Sequence, residues 1–119
     1  MPRVLLDHNV PRPLRRALAG HEVRTTAEMG WESLTNGELL DAAEAAGFGV
    51  FVTGDKNIRH QQDLSRRRIA LVVLSTTYWP TARARLERIA PVVAAAAPGS
   101  YAEVELEAVR TRRPKGLAP

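Results

Sequence analysis

Five strand-like runs, separated by stretches with helical spacing, constrain the fold of this 119-residue chain more than any other feature. Residues 3–6 form an apolar strand that ends at Asp7. Pro11 and Pro13 then mark a helix start, because proline suits a first turn. Leu14, Ala17 and Leu18 supply its apolar stripe, Arg15 and Arg16 face out, and Gly20 stops it. Residues 22–26 alternate like a half-buried or edge strand, and a loop through Gly30 and Trp31 follows. Thr35 with Glu38 spells a capping box, and Leu39, Leu40, Ala42, Ala43 and Ala46 carry that helix to Gly47. Residues 49–53 predict a buried strand ending at Gly54-Asp55, and 58–67 a polar helix. Residues 69–74 are the most apolar run and are expected at the centre of the sheet. Residues 81–96 predict an Ala-rich helix, kinked or ended at Pro91. Residues 101–106 predict an edge strand with solvated acids.

This alternation implies an α/β domain in three α/β/α layers, with a mostly parallel central sheet of about five strands. It covers residues 1–109, with a basic flexible tail at 110–119. The chain has no cysteine, which excludes disulfides and Cys-based zinc sites and fits a cytoplasmic setting. Met1-Pro2-Arg3 runs straight into the first strand without the shape of a signal peptide, and no apolar run has membrane-spanning length. The formal net charge of +4 comes wholly from Arg110, Arg112, Arg113 and Lys115. The body is formally neutral, so the basic end reads as a solvated tail before it reads as an RNA contact.

In an open parallel sheet, ligands bind at the carboxyl ends of the strands. Asp7 follows the first strand and Asp55 the third. Glu38 opens the helix after the second strand, and that helix must begin at the same sheet edge. Topology alone therefore delivers three carboxylates to one rim, and Ser75, Thr76 and Thr77 arrive there too. Clustered carboxylates repel unless a cation or a proton intervenes. Mg²⁺ and Mn²⁺ prefer such oxygen ligands, and a metal-bound water suits phosphodiester hydrolysis. Each residue also has a plainer role open to it. Asp7 can start an Asx turn, Asp55 or Asn57 can cap the next helix, and Glu38 already serves the capping box. The chain has no Gly-rich phosphate loop, nucleophile elbow or Cys/His cluster.

Three segments, Leu5-Leu6-Asp7-His8-Asn9-Val10-Pro11, Asn36-Gly37-Glu38-Leu39-Leu40 and Val52-Thr53-Gly54-Asp55-Lys56-Asn57, resemble the PIN-like proteins of the DUF5615 family, relatives of the Mut7-C domain and of VapC-type toxin ribonucleases. The resemblance covers roughly residues 3–80. It implies a PIN-like fold, an acidic Mg²⁺- or Mn²⁺-dependent endoribonuclease site acting on RNA, and a toxin role beside an antitoxin protein. By position, Asp7, Glu38 and Asp55 match the family's acids, and Asn9 the polar residue after the first of them. Asn36 and Asn57 stand where acids are frequent, which removes negative charge from the rim. The alternative is a catalytically weak PIN-like module that binds RNA or protein; a structural homodimer with no site is a third reading. Lys56 is either a phosphate contact or an exposed loop residue, and Asn9, Asn36 and Asn57 are expected around the metal or substrate. His8 is expected to point away from the rim or to contact RNA. Arg66-Arg67-Arg68 reads as a solvated helix end. Trp31, Tyr78 and Trp79 read as packing residues.

Overall fold

The computed structural model describes residues 3–107. Five strands, β1 (Arg3–Leu6), β2 (Val23–Thr25), β3 (Phe48–Thr53), β4 (Ala70–Leu74) and β5 (Tyr101–Val104), form one sheet in the order β2-β1-β3-β4-β5. Every pairing is parallel. Alternation along the strands divides the core into two layers. Val4 and Leu6 face Leu14, Leu18, Ile89 and Val93 on one side. Leu5 and Phe51 face Leu39, Leu40 and Ala43 on the other. Helical segments thus cover both faces, and the α/β/α layering read from the sequence is present.

The helical segments are α1 (Thr26–Met29), α2 (Asn36–Ala45), α3 (Ile58–Gln61), α4 (Trp79–Arg83) and α5 (Ile89–Ala95), with 3-10 turns at Arg12–Leu18, Leu64–Arg66 and Leu86–Arg88. The capping box of α2 forms as expected. Several expectations need correction. The stretch after Pro11 winds as a 3-10 helix. The expected helix at 58–67 breaks because the Asp63 carboxylate accepts from both the backbone N–H and the hydroxyl of Ser65, a local alternative to helix continuation. The expected helix at 81–96 is three pieces. Pro80 and Pro91 each sit in a first turn, where no intrahelical bond is lost, so Pro91 begins a helix rather than ending one. β3 is the middle strand; β4 lies beside it with all five residues buried. Both are flanked on two sides, so apolarity could not rank them. The basic end from Arg110 to Lys115 lies outside the described residues.

Two of the three aromatic residues in question pack, as expected. Trp31 meets Phe48 edge-on at 6.1 Å and Trp79 lies against the core, whereas Tyr78 is exposed. Among the described residues, no helix is long and apolar enough to cross a membrane.

The arginine run at 66–68 is not uniformly solvated. Arg67 is largely buried and pairs with Asp41 at 2.6 Å and Glu44 at 3.3 Å. The other Glu44 oxygen accepts from the backbone N–H groups of Arg68 and Ile69. This stitches α2 to the start of β4. Gly99 closes the same corner from the far side. Its φ is +74°, and a Cβ there would meet the Arg67 carbonyl oxygen at 2.6 Å. Gly99→Ala is therefore expected to destabilise the fold by about 3 kcal/mol, combining left-handed strain with a backbone clash. A chemical-denaturation midpoint unchanged from wild type would refute this.

Candidate functional site

Strand order 2-1-3-4-5 reverses direction between β1 and β3, and that reversal is where open α/β sheets form a crevice. Asp7 and Asp55 flank it. Asp7 continues the ladder, its backbone N–H donating to the Val52 carbonyl at 2.9 Å. Its side chain is buried, at 6% exposure. Oδ2 accepts from the Thr53 hydroxyl at 2.6 Å, and Oδ1 accepts from the His8 backbone N–H at 2.8 Å. The His8 Nδ1 lies 3.0 Å from that same Oδ1. His8 therefore belongs to the rim instead of pointing away from it, because the tight turn after β1, closed by Val10 N–H to the Asp7 carbonyl, folds the ring back.

Thr53 joins the two halves. Its hydroxyl donates to Asp7 and accepts from the Asp55 backbone N–H at 3.0 Å. It is fully buried at the end of β3, so this bridge is shielded from competing water. Asp55 is further held by Asn36, whose Nδ2 donates to Oδ2 at 3.2 Å, and by the Asn57 backbone N–H, which donates to Oδ1 at 2.9 Å. Asn36 Nδ2 also reaches Gln61. Asn9 Oδ1 accepts from Gly54 N–H at 3.3 Å, tying the two loops together.

The expected residues are thus unequally placed. Asp7, Asp55, Asn9 and Asn36 form one hydrogen-bonded unit. Asn57 contributes its backbone. Glu38 is exposed. Its Oε1 accepts from Thr35 N–H at 3.0 Å within the capping box, and it does not line the cleft at Asp7. Lys56 is exposed and lines a separate groove of about 290 Å³ with Ser75, Glu103 and Glu105.

Beside Asp7 lies a small cleft of about 30 Å³, lined by Asp7, His8, Thr26, Trp31, Glu32, Leu34, Asn36 and Leu39. Thr26 is 1% exposed and its hydroxyl has no hydrogen-bond partner. A buried polar group left unpaired costs about 1–3 kcal/mol. Sequence reading missed Thr53, Thr26 and Glu32. A threonine closing an otherwise apolar strand was the signal for Thr53. Thr26 and Glu32 lie on the connection that leaves β2 at the same sheet edge, so topology could have placed them there.

The donor set is carboxylate, amide and hydroxyl oxygen, which fits a hard divalent cation. Among the described residues, no three acidic or histidine side chains stand close enough to hold one ion between them. A cation here would keep several waters, as Mg²⁺ does. The chain matches no protein-family model, no curated protein and no solved structure.

Proposed function

We propose that the rim is a Mg²⁺- or Mn²⁺-dependent phosphodiester-hydrolysing site of the PIN-like type, with RNA as substrate. The observation that carries this reading is the buried Thr53 hydroxyl, bonded to the Asp7 carboxylate and to the Asp55 backbone across the strand reversal. It ties the Asp7 carboxylate to the backbone of Asp55, whose own carboxylate is held by Asn36 and the Asn57 N–H. Asp7 and Asp55 would hold the cation. Bound there, it would lower the pKa of a coordinated water and offset charge on the phosphoryl group. Asn36 orients Asp55, and Asn9 fixes the Gly54 backbone beside it. Preorganised ligands of this kind need little rearrangement when substrate arrives. A toxin role beside an antitoxin, implied by the motif resemblance, belongs to the same proposal.

One observation favours a second reading, a catalytically weak PIN-like module that binds RNA or protein. The α2 residue that reaches Asp55 is the neutral Asn36, while Glu38 on the same helix is engaged in its cap. Fewer charges at the rim mean weaker attraction for a cation. Calorimetric titration of Mn²⁺ into wild type and into Asp7→Asn/Asp55→Asn separates the two. Saturable binding to wild type that the double variant loses is the expected result. Silence at millimolar Mn²⁺ would sink the metal-dependent reading and leave the binding module.

A further inference from the structure

We infer that a groove of arginines on the β2 side of the rim holds the phosphate backbone of single-stranded RNA beyond the point of cleavage, an assignment that rests on the proposed reading of the rim as an RNA-cleaving site. The groove has a volume of about 330 Å³ and is lined by Arg12, Pro13, Arg15, Arg16 and Glu28. Three cations thus face one acid. Arg15 Nη2 donates to Glu28 Oε1 at 2.9 Å, and that oxygen also accepts from Thr25 N–H at 2.9 Å in the α1 cap, so Glu28 is committed to Arg15 and to the fold. Arg12 and Arg16 are exposed, and among the described residues neither stands in an ion pair. The groove therefore keeps two uncompensated positive charges on a body that is formally neutral.

Position ties this charge to the rim. The 3-10 turn that carries the three arginines is the first element after β1, and α1 follows β2 directly, so in an all-parallel sheet both begin at the edge where Asp7 and Asp55 lie. The five residues from Asp7 to Arg12 reach at most about 18 Å, and the tight turn at Val10 shortens that path. A polyanion with one phosphate at Asp7 and Asp55 must carry its neighbouring phosphates past one flank or both. Across the sheet, at the ends of β4 and β5, the flanking groove is lined by Glu103 and Glu105 with Lys56, and two carboxylates against one ammonium repel phosphate there. The β2 flank offers the opposite sign, and a guanidinium fork matches paired phosphate oxygens. The RNA is thus gripped on one side of the cut, by a contact that reads charge and carries no base sequence.

The test is binding of a short oligouridylate across a range of KCl, in EDTA so that the RNA stays intact. Arg12→Gln/Arg16→Gln is expected to bind about tenfold more weakly, and the slope of log affinity against log salt should fall by about 1.4, the share of two contacts on a single strand. Arg66→Gln/Arg68→Gln removes the same charge from exposed positions before β4, at the opposite edge of the sheet, and should leave the slope unchanged. Both double variants should melt within about 3 °C of wild type, as exposed surface substitutions do. A slope that stays at the wild-type value in Arg12→Gln/Arg16→Gln would overturn the groove and leave the proposed function intact. An equal loss in both double variants would reduce the effect to net charge and overturn the groove likewise. A wild type that binds no RNA would overturn the groove and RNA as substrate together.

Discussion

Glu44→Ala is expected to lower the melting temperature by about 10 °C. One Glu44 oxygen accepts from Arg68 N–H at 2.6 Å and Ile69 N–H at 3.1 Å, and the other from Arg67 at 3.3 Å. Alanine would leave the Ile69 N–H, at the buried start of β4, without an acceptor. It would also take one carboxylate from the largely buried Arg67, which keeps Asp41. Hydrogen bonds to charged groups contribute about 1.5–3 kcal/mol each, and a stranded buried donor costs about 1–3 kcal/mol. Since these terms overlap, a net loss of about 3 kcal/mol is reasonable, or about 10 °C for a domain of this size. The acid response has a definite sign. Burial opposes the Glu44 charge, but the Ile69 and Arg68 N–H groups and the Arg67 guanidinium outweigh it and hold the carboxyl below its ordinary value. A lowered folded-state pKa gives stability that is present above the unfolded value and disappears as pH falls through the folded one. The gap between wild type and Glu44→Gln should therefore be widest near neutrality and should close in acid. A gap that stays constant with pH would show that Glu44 acts through packing.

If the proposed Mn²⁺-dependent RNA cleavage operates, Asp7→Asn is expected to reduce it by about a thousandfold, the scale of several kcal/mol of metal-derived stabilisation. Asparagine nearly preserves size but turns one acceptor into a donor. The Thr53 hydroxyl donates to Oδ2, and the His8 N–H donates to Oδ1, so the new NH₂ either meets the fixed His8 N–H or obliges the Thr53 hydroxyl to turn away and lose its acceptor. The expected stability loss is about 1 kcal/mol, far too little to explain the activity loss, and a melting curve separates the two effects. Wild-type cleavage by a folded Asp7→Asn protein would remove Asp7 from the chemistry.

The sequence announced some of this fold and hid the rest for identifiable reasons. β3 and Asp55 were legible because an unbroken apolar run stops abruptly at a polar pair. The start of α2 was legible because Thr35 and Glu38 carry their capping role in their spacing. The equivalent spacing of Thr25 and Glu28, which caps α1, was hidden inside an alternating run that read as strand. Residues 81–96 misled because alanine favours helix at every position and masks the break near Arg85. At the rim, strand-end acids were readable from topology. The direction of a side chain was not. Glu38 lies at the right edge of the sheet, yet its carboxylate turns to its own N-terminus, and Asn36 two residues earlier makes the contact with Asp55.

The strand order also has a temporal side. The hydrogen bonds that tie Asp7 and Asp55 into one unit close between residues 7 and 61, and the strands that lead into them, β1 and β3, are neighbours. β5 is appended last, at an outer edge. As the chain leaves the ribosome, the residues of the rim can thus find one another before the final third has been made. That later third then covers the open face of β1, where Ile89 and Val93 pack with Val4 and Leu6.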